Sequence, residues 1–188
     1  GYFDMIGIPY NTSSAAITSL TFQKFHCNQF LKNFGVNVAK AVLIKAGDQP
    51  SIDQIIEKVA LPCFVKPTDG GSSFGVTKVK AKEDLHPAIK TAFEHGSEVI
   101  VEAFLNGREL TNGVYRDSEG VKVLPVTEII SENEFFDYDA KYNGKSDEVT
   151  PANISDELTT KIKNLTQFIY STLGMKGIAR VDYILDSN

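Results

Sequence analysis

The sequence is poor in cysteine: 188 residues hold two, Cys27 and Cys63, far apart. That usage fits a pair of reduced, partly buried thiols in a cytosolic protein rather than a disulfide framework. Long apolar runs are missing. None reaches the roughly 18 residues that a membrane-spanning helix needs, so no membrane span is expected. No basic start leads into an apolar core, the pattern of a secretory leader. Positive charge is not in excess either: 19 Lys and Arg stand against 24 Asp and Glu, for a net charge of −5 and an isoelectric point near 5.2. With no dense Lys/Arg cluster, a nucleic-acid partner is not expected. His26, His86 and His95 lack the spacing of metal ligands. Internal repeats and low-complexity runs are also absent. What is present is ordinary for a globular protein, 42% hydrophobic and 23% charged residues. The length suits one large domain or two small ones with a real core.

Both ends read as cut. The sequence opens without methionine at Gly1-Tyr2-Phe3-Asp4 and stops at Asp186-Ser187-Asn188. That closing turn signal follows a strong strand pattern over residues 178–185, and a partner strand normally comes next. The expectation is a piece of a larger protein, with an exposed strand edge after Leu185.

Between the ends, residues 19–34 fit a helix with Leu20, Phe22, Phe25 and Phe30 on its apolar side and Gly35 as a stop. Residues 36–44 read as a strand. Ser51 with Gln54 forms a capping-box pattern ahead of a short amphipathic helix carrying Ile52, Ile55, Ile56, Val59 and Ala60. Residues 63–66 and 74–79 are hairpin strands. A helix starts near Asp84 or Leu85, because Pro87 is tolerable only in its first turn, and Gly96 ends it. Residues 99–104 form a strand. Residues 110–115 and 121–130 are strands joined by the turn Asp117-Ser118-Glu119-Gly120. Residues 131–153 show no clean period. A loop of that length is usually functional or disordered, and its tyrosines and phenylalanines argue against disorder. Ser155 caps a last helix with Leu158, Ile162, Leu165 and Ile169 on one face. The fold class is α+β, in two lobes that meet near residue 105.

The most informative stretch is Phe64-Val65-Lys66-Pro67-Thr68-Asp69-Gly70-Gly71-Ser72-Ser73-Phe74-Gly75-Val76. Glycines let backbone N–H groups approach phosphate oxygens, hydroxyls donate further bonds, and a lysine supplies countercharge. A Walker loop puts its lysine after the glycines and then opens a helix. Here Lys66 comes first and a strand follows, so the loop caps a two-stranded hairpin. Glu102 and Glu109 flank a linker-like segment. Either they are surface carboxylates, or the segment offers backbone groups to a flat heterocycle and a carboxylate accepts ribose hydroxyls. Arg180 and Asp182 share one face of a strand, while Val181, Tyr183 and Leu185 share the other. They form a surface ion pair, or Asp182 binds a hard cation and Arg180 steadies negative charge. Asp137-Tyr138-Asp139-Ala140-Lys141-Tyr142 is a solvated loop or a lid over an anionic ligand. Lys24 alone is an ordinary helix lysine.

Taken in order, these pieces resemble the D-alanine–D-alanine ligases of the ATP-grasp superfamily. The likeness runs from Gly7-Ile8-Pro9-Tyr10 and Ser13-Ser14 through Lys66-Pro67, Gly71-Ser72-Ser73-Phe74-Gly75, Glu102 and Gly107-Arg108-Glu109-Leu110-Thr111. It continues through Tyr138-Asp139-Ala140-Lys141-Tyr142 and Pro151-Ala152 to Ala179-Arg180-Val181-Asp182. The resemblance implies an incomplete ATP-grasp fold, two α+β lobes with a nucleotide between them. Residues 1–20 would be the remnant of an N-terminal lobe and linker, 21–104 the central lobe, and 105–188 a truncated C-terminal lobe. It implies that Lys24 and Lys66 contact ATP phosphates, and that Gly71, Ser72 and Ser73 close over them. Glu102, Ala103, Phe104 and Leu105 meet adenine, Glu109 binds ribose, and Lys141 reaches the γ-phosphate. Ser72 and Tyr142 form a network near the substrate, Arg180 stabilises an oxyanion, and Asp182 binds Mg²⁺ (or Mn²⁺). The implied parent is a cytoplasmic homodimer that uses ATP to join D-alanine into the dipeptide for peptidoglycan.

Two departures stand out. Relatives carry Asp before the first lysine and a second lysine four residues on, where this sequence has Gln23 and Asn28. The substrate-binding glutamate of the N-terminal lobe, a Glu-x-Asn metal-ligand pair and a final glycine-rich loop all fall outside residues 1–188, so this piece alone is expected not to turn over. A D-alanine–D-lactate or other carboxylate–amine ligase, and a non-catalytic nucleotide-binding module, are the alternatives. Tyr142 favours an amine acceptor.

Overall fold

The computed structural model describes residues 1–69, 71, 74–131 and 146–186. It divides into two compact units, Leu20–Leu105 and a second built from Gly1–Ser19 with Asn106–Asn188.

In the Leu20–Leu105 unit the order is α3 (Lys24–Lys32), β1 (Ala41–Lys45), α4 (Ile52–Val59), β2 (Cys63–Pro67), β3 (Thr77–Val79), α5 (Leu85–Phe93) and β4 (Glu98–Ala103). The four strands form an antiparallel sheet in the order β1-β4-β2-β3. The strands alternate, so one face presents Ile44, Cys63, Val65, Val79, Val99 and Val101 to Ile55 and Val59 of α4 and Leu85, Ala88, Ile89 and Ala92 of α5. Ser51 caps α4 by accepting the Gln54 N–H at 3.4 Å, which satisfies one of the donors a helix start leaves open. β2 and β3 form the expected hairpin, with Phe64 opposite Lys78.

The expected single helix over 19–34 is two helices. α2 (Ala15–Phe22) stops and α3 starts after Gln23, whose backbone is extended. The Lys24 N–H goes to the Thr68 carbonyl at 2.9 Å rather than continuing the helix ladder. The break also turns the apolar side: Leu31 is buried, while Phe22 and Phe30 are exposed. The strand expected from residue 36 begins at Ala41, because its partner β4 pairs only from Glu98 to Glu102 with β1.

The other unit holds α1 (Tyr2–Met5), β5 (Gly107–Asp117), β6 (Gly120–Ser131), β7 (Ser146–Val149), α6 (Asp156–Thr172) and β8 (Ala179–Asp186). Its antiparallel sheet has the order β7-β6-β5-β8. α6, capped by Ser155 at the Leu158 N–H, 3.2 Å, covers one sheet face, where Leu110, Val126 and Ile162 form the core with Tyr183 and Leu185 against it. A bulge interrupts the β5–β6 register between Asn112 and Val114. The Asn112 amide donates to the carbonyls of Leu124 and Pro125, and its oxygen accepts from the buried Thr166 hydroxyl at 2.8 Å. Pairing to β6 makes a strand of Ser146–Val149, inside the stretch expected to be loop; the polar sequence has no period of its own and takes its conformation from the neighbouring edge. Among the described residues no helix is long and apolar enough to cross a membrane.

Candidate active site

In the Leu20–Leu105 unit, the sheet face opposite α4 and α5 carries Phe64, Lys66, Lys78 and Glu102. The register sets this: Lys66 lies opposite Ile100 and Phe64 opposite Glu102, so Lys66 and Glu102 are diagonal neighbours on one face. Lys66 Nζ donates to Glu102 Oε2 at 2.5 Å, with the side chains 20% and 14% exposed. Beside them the Phe64 and Phe104 rings sit 5.9 Å apart, and Lys78 Nζ lies 4.1 Å from the Phe104 ring centre. The Ala103 N–H is bonded to the Lys40 carbonyl at 2.8 Å and the Phe104 N–H to that of Pro62 at 3.3 Å. Both N–H groups are therefore already committed to backbone carbonyls.

Thr68 ties the two lysines together. It follows β2 directly, is 1% exposed, and takes the first N–H groups of α3: Lys24 N to its carbonyl and Phe25 N to its hydroxyl at 3.4 Å. Lys24 Nζ then reaches back to the Pro67 carbonyl at 3.4 Å. The glycine-rich loop leaves from the same point. A methyl on Gly75, whose φ is +68°, would meet His95 and Pro67, and one on Gly96 would come within 2.8 Å of Asp69 Oδ1 and 2.9 Å of Pro67. Only glycine allows this close seat. Gly71 lies within the described residues; Ser72 and Ser73 lie outside them.

In the other unit, the sheet face away from α6 carries Glu109 and Thr111 of β5 and Arg180 and Asp182 of β8. Thr111 lies opposite Asp182, and Glu109 opposite Ile184. Arg180 Nε donates to Asp182 Oδ1 at 2.8 Å and its terminal nitrogen to Oδ2 at 3.2 Å. The Thr111 hydroxyl donates to Asp182 Oδ1 at 2.8 Å. The hydrogen bond to Asp182 holds the guanidinium above its ordinary pKa, aided by the nearby charges of Glu148 and Glu109. On the covered face, burial pushes the Tyr183 phenol up to about 12. The motif Gly107-Arg108-Glu109-Leu110-Thr111 carried no role for Thr111; its alternation with Glu109 on one strand is the signal that puts it on this face.

Asp182 is exposed and offers oxygen, the donor a hard cation prefers. Among the described residues no group of three His, Cys, Asp or Glu side chains converges. Lys141 and Tyr142, with the rest of the 137–142 stretch, lie outside the described residues.

Residues 30–188 match the family model described as the D-ala D-ala ligase C-terminus. A D-alanine–D-alanine ligase of Phocaeicola vulgatus is 50% identical over 98% of the chain, which spans 57% of that relative. The chain thus covers little more than half the length of the curated relatives it matches. The crystal structure of the VanG D-Ala:D-Ser ligase from Enterococcus faecalis superimposes with a TM-score of 0.85 at 35% identity, covering 98% of this chain and 54% of that one. The D-alanine–D-alanine ligase structure from Bacillus anthracis gives 0.83 at 28% identity, covering 100% of this chain and 60% of that one. The mixed helix-and-sheet architecture is thus the ATP-grasp fold of these ligases, and the chain belongs to the D-alanine–D-alanine ligase family.

Proposed function

We propose that the chain is the nucleotide-binding and catalytic portion of an ATP-dependent D-alanine–D-alanine ligase. The observation that carries this reading is the placing of two lysines at the start of one glycine-rich loop: Lys66 on β2, just before it in sequence, and Lys24 with its Nζ 3.4 Å from the Pro67 carbonyl. Two cations beside a glycine- and serine-rich loop suit a polyphosphate. In this reading residues 1–20 belong to an N-terminal lobe and linker, 21–104 to the central lobe and 105–188 to the C-terminal lobe. Glu102 to Leu105 meet the adenine of the nucleotide and Glu109 its ribose.

The reaction starts when a D-alanine carboxylate oxygen attacks the γ-phosphorus of ATP. The bond to the bridging oxygen breaks, ADP leaves, and D-alanyl phosphate forms. Phosphoryl transfer asks mainly for positioning and neutralised oxygen charge, which Lys24, Lys66 and Lys141 supply. Mg²⁺ (or Mn²⁺), held in part by Asp182, adds charge neutralisation when bound. The amine of a second D-alanine attacks the acyl carbon, and Arg180 stabilises the oxyanion that develops before phosphate departs. Ser72, Ser73 and Tyr142 close the site against water, which would otherwise hydrolyse the acyl phosphate. The parent acts in the cytoplasm, as a homodimer, on small molecules that feed peptidoglycan.

The likeness to a D-Ala:D-Ser ligase favours a second acceptor as the alternative. Incubating the full-length protein with ATP, D-alanine and equal D-serine or D-lactate decides it by mass spectrometry. D-alanyl-D-alanine is the expected product, with none from residues 1–188 alone. A depsipeptide, D-alanyl-D-serine, or no ATP-dependent product at all would overturn the reading.

A further inference from the structure

We propose that Ser13 and Tyr170 are positioning residues for Arg180, acting through the turn at residues 174–178 that feeds β8. The turn is tied at successive backbone groups. The Met175 N–H bonds to the Tyr170 carbonyl at 3.0 Å. The Lys176 N–H donates to Ser13 Oγ, and the same hydroxyl donates to the Lys176 carbonyl, both at 3.1 Å and across 163 residues of sequence. The Tyr170 hydroxyl, on a ring with no exposure, donates to the Gly177 carbonyl at 2.7 Å.

Gly177 closes the clamp. Its φ is +68°, and a methyl placed on it would lie 1.8 Å from the Asn11 carbonyl oxygen. Backbone therefore rests on backbone there, and no side chain fits. Arg180 stands three residues further on. Its cross-strand neighbour on β5 is Gly113, which has no side chain to brace the guanidinium. Asp182 holds the far end of that side chain, and the clamped turn sets where its Cα begins. Ser13 and Tyr170 touch neither Arg180 nor any reacting atom in the proposed mechanism; their role is to fix the start of its strand. Errors of about 1 Å in a catalytic group can cost on the order of a hundredfold in rate, so three backbone anchors next to an oxyanion-stabilising arginine have a clear use.

The catalytic consequence rests on the ligase reading above. In the full-length protein, Ser13→Ala and Tyr170→Phe are expected to leave the affinity for a non-hydrolysable ATP analogue unchanged. Dipeptide kcat should fall by roughly ten- to a hundredfold, and phosphate released should exceed dipeptide formed, because acyl phosphate that is not captured is hydrolysed. Ser13→Thr keeps the hydroxyl and should restore the wild-type ratio. A lowered melting temperature with phosphate and dipeptide still equal would assign the two residues a merely structural role and overturn the proposal. A wild-type protein that makes no dipeptide condemns the ligase reading instead. The clamp is then read from a crystal structure of Ser13→Ala: an Arg180 guanidinium displaced from Asp182 supports it, and an unmoved one overturns it.

Discussion

Lys66 and Glu102 should be energetically coupled before any ligand arrives. The register of β2 on β4 makes them diagonal neighbours, their charged atoms are 2.5 Å apart, and the two side chains are 20% and 14% exposed. Exposed ion pairs contribute about 0.2–1 kcal/mol, while removing one partner of a buried pair costs about 3–5 kcal/mol. This pair lies between those limits. Lys66→Met strands a mostly covered carboxylate and should cost about 2 kcal/mol. Glu102→Gln keeps an acceptor oxygen for Lys66 and should cost about 1 kcal/mol. The double variant should be more stable than the sum of the two losses implies, by about 1 kcal/mol. Urea unfolding of the wild-type chain, both single variants and the double variant, followed by circular dichroism with a shared m-value, measures that coupling. Single losses that simply add, to within about 0.5 kcal/mol, would refute the pairing.

Thr166→Val leaves the Asn112 side-chain oxygen and the Tyr183 hydroxyl without their shared partner; at about 1–3 kcal/mol per stranded buried group, urea unfolding should show a loss of at least about 1 kcal/mol. The Arg108 guanidinium, bonded twice to Glu128, holds that carboxyl below its ordinary pKa of 4.5. The folded state therefore binds this proton less readily than the unfolded state. Its stabilisation is full above about pH 4.5 and fades as pH falls through the lowered folded value. Glu128→Gln should accordingly flatten the acid limb of a melting-temperature-against-pH curve. Cys63 is fully buried and its thiol is pushed up by that burial, so iodoacetamide at neutral pH should label it only after denaturant is added.

Local chemistry was legible where it decided the structure. Ser51 and Ser155 announced their helices, Pro87 fixed the start of α5, and the alternation Arg180, Asp182 against Val181, Tyr183 correctly sorted two faces of β8. Non-local choices were not legible. Nothing near Gln23 says that a carbonyl at Thr68 will take the next N–H and split the helix. The Lys66–Glu102 pair needs β4 to lie beside β2, a sheet order that strand patterns alone do not specify. β7 owes its conformation to the edge of β6. The same division holds for the site. Motifs point to Lys66, Arg180 and Asp182 as candidates, whereas the bonds of Thr111 to Asp182 and of Thr68 to the start of α3 exist only once the chain has folded.

In the proposed ligase, Lys66 holds a triphosphate. A crystal structure of the full-length protein with a non-hydrolysable ATP analogue tests it directly. Lys66 Nζ should then lie at hydrogen-bonding distance, about 3 Å, from a phosphate oxygen, with the adenine beside Glu102. A nucleotide bound elsewhere, with the Lys66–Glu102 pair closed as it is now and facing no phosphate, would contradict that role.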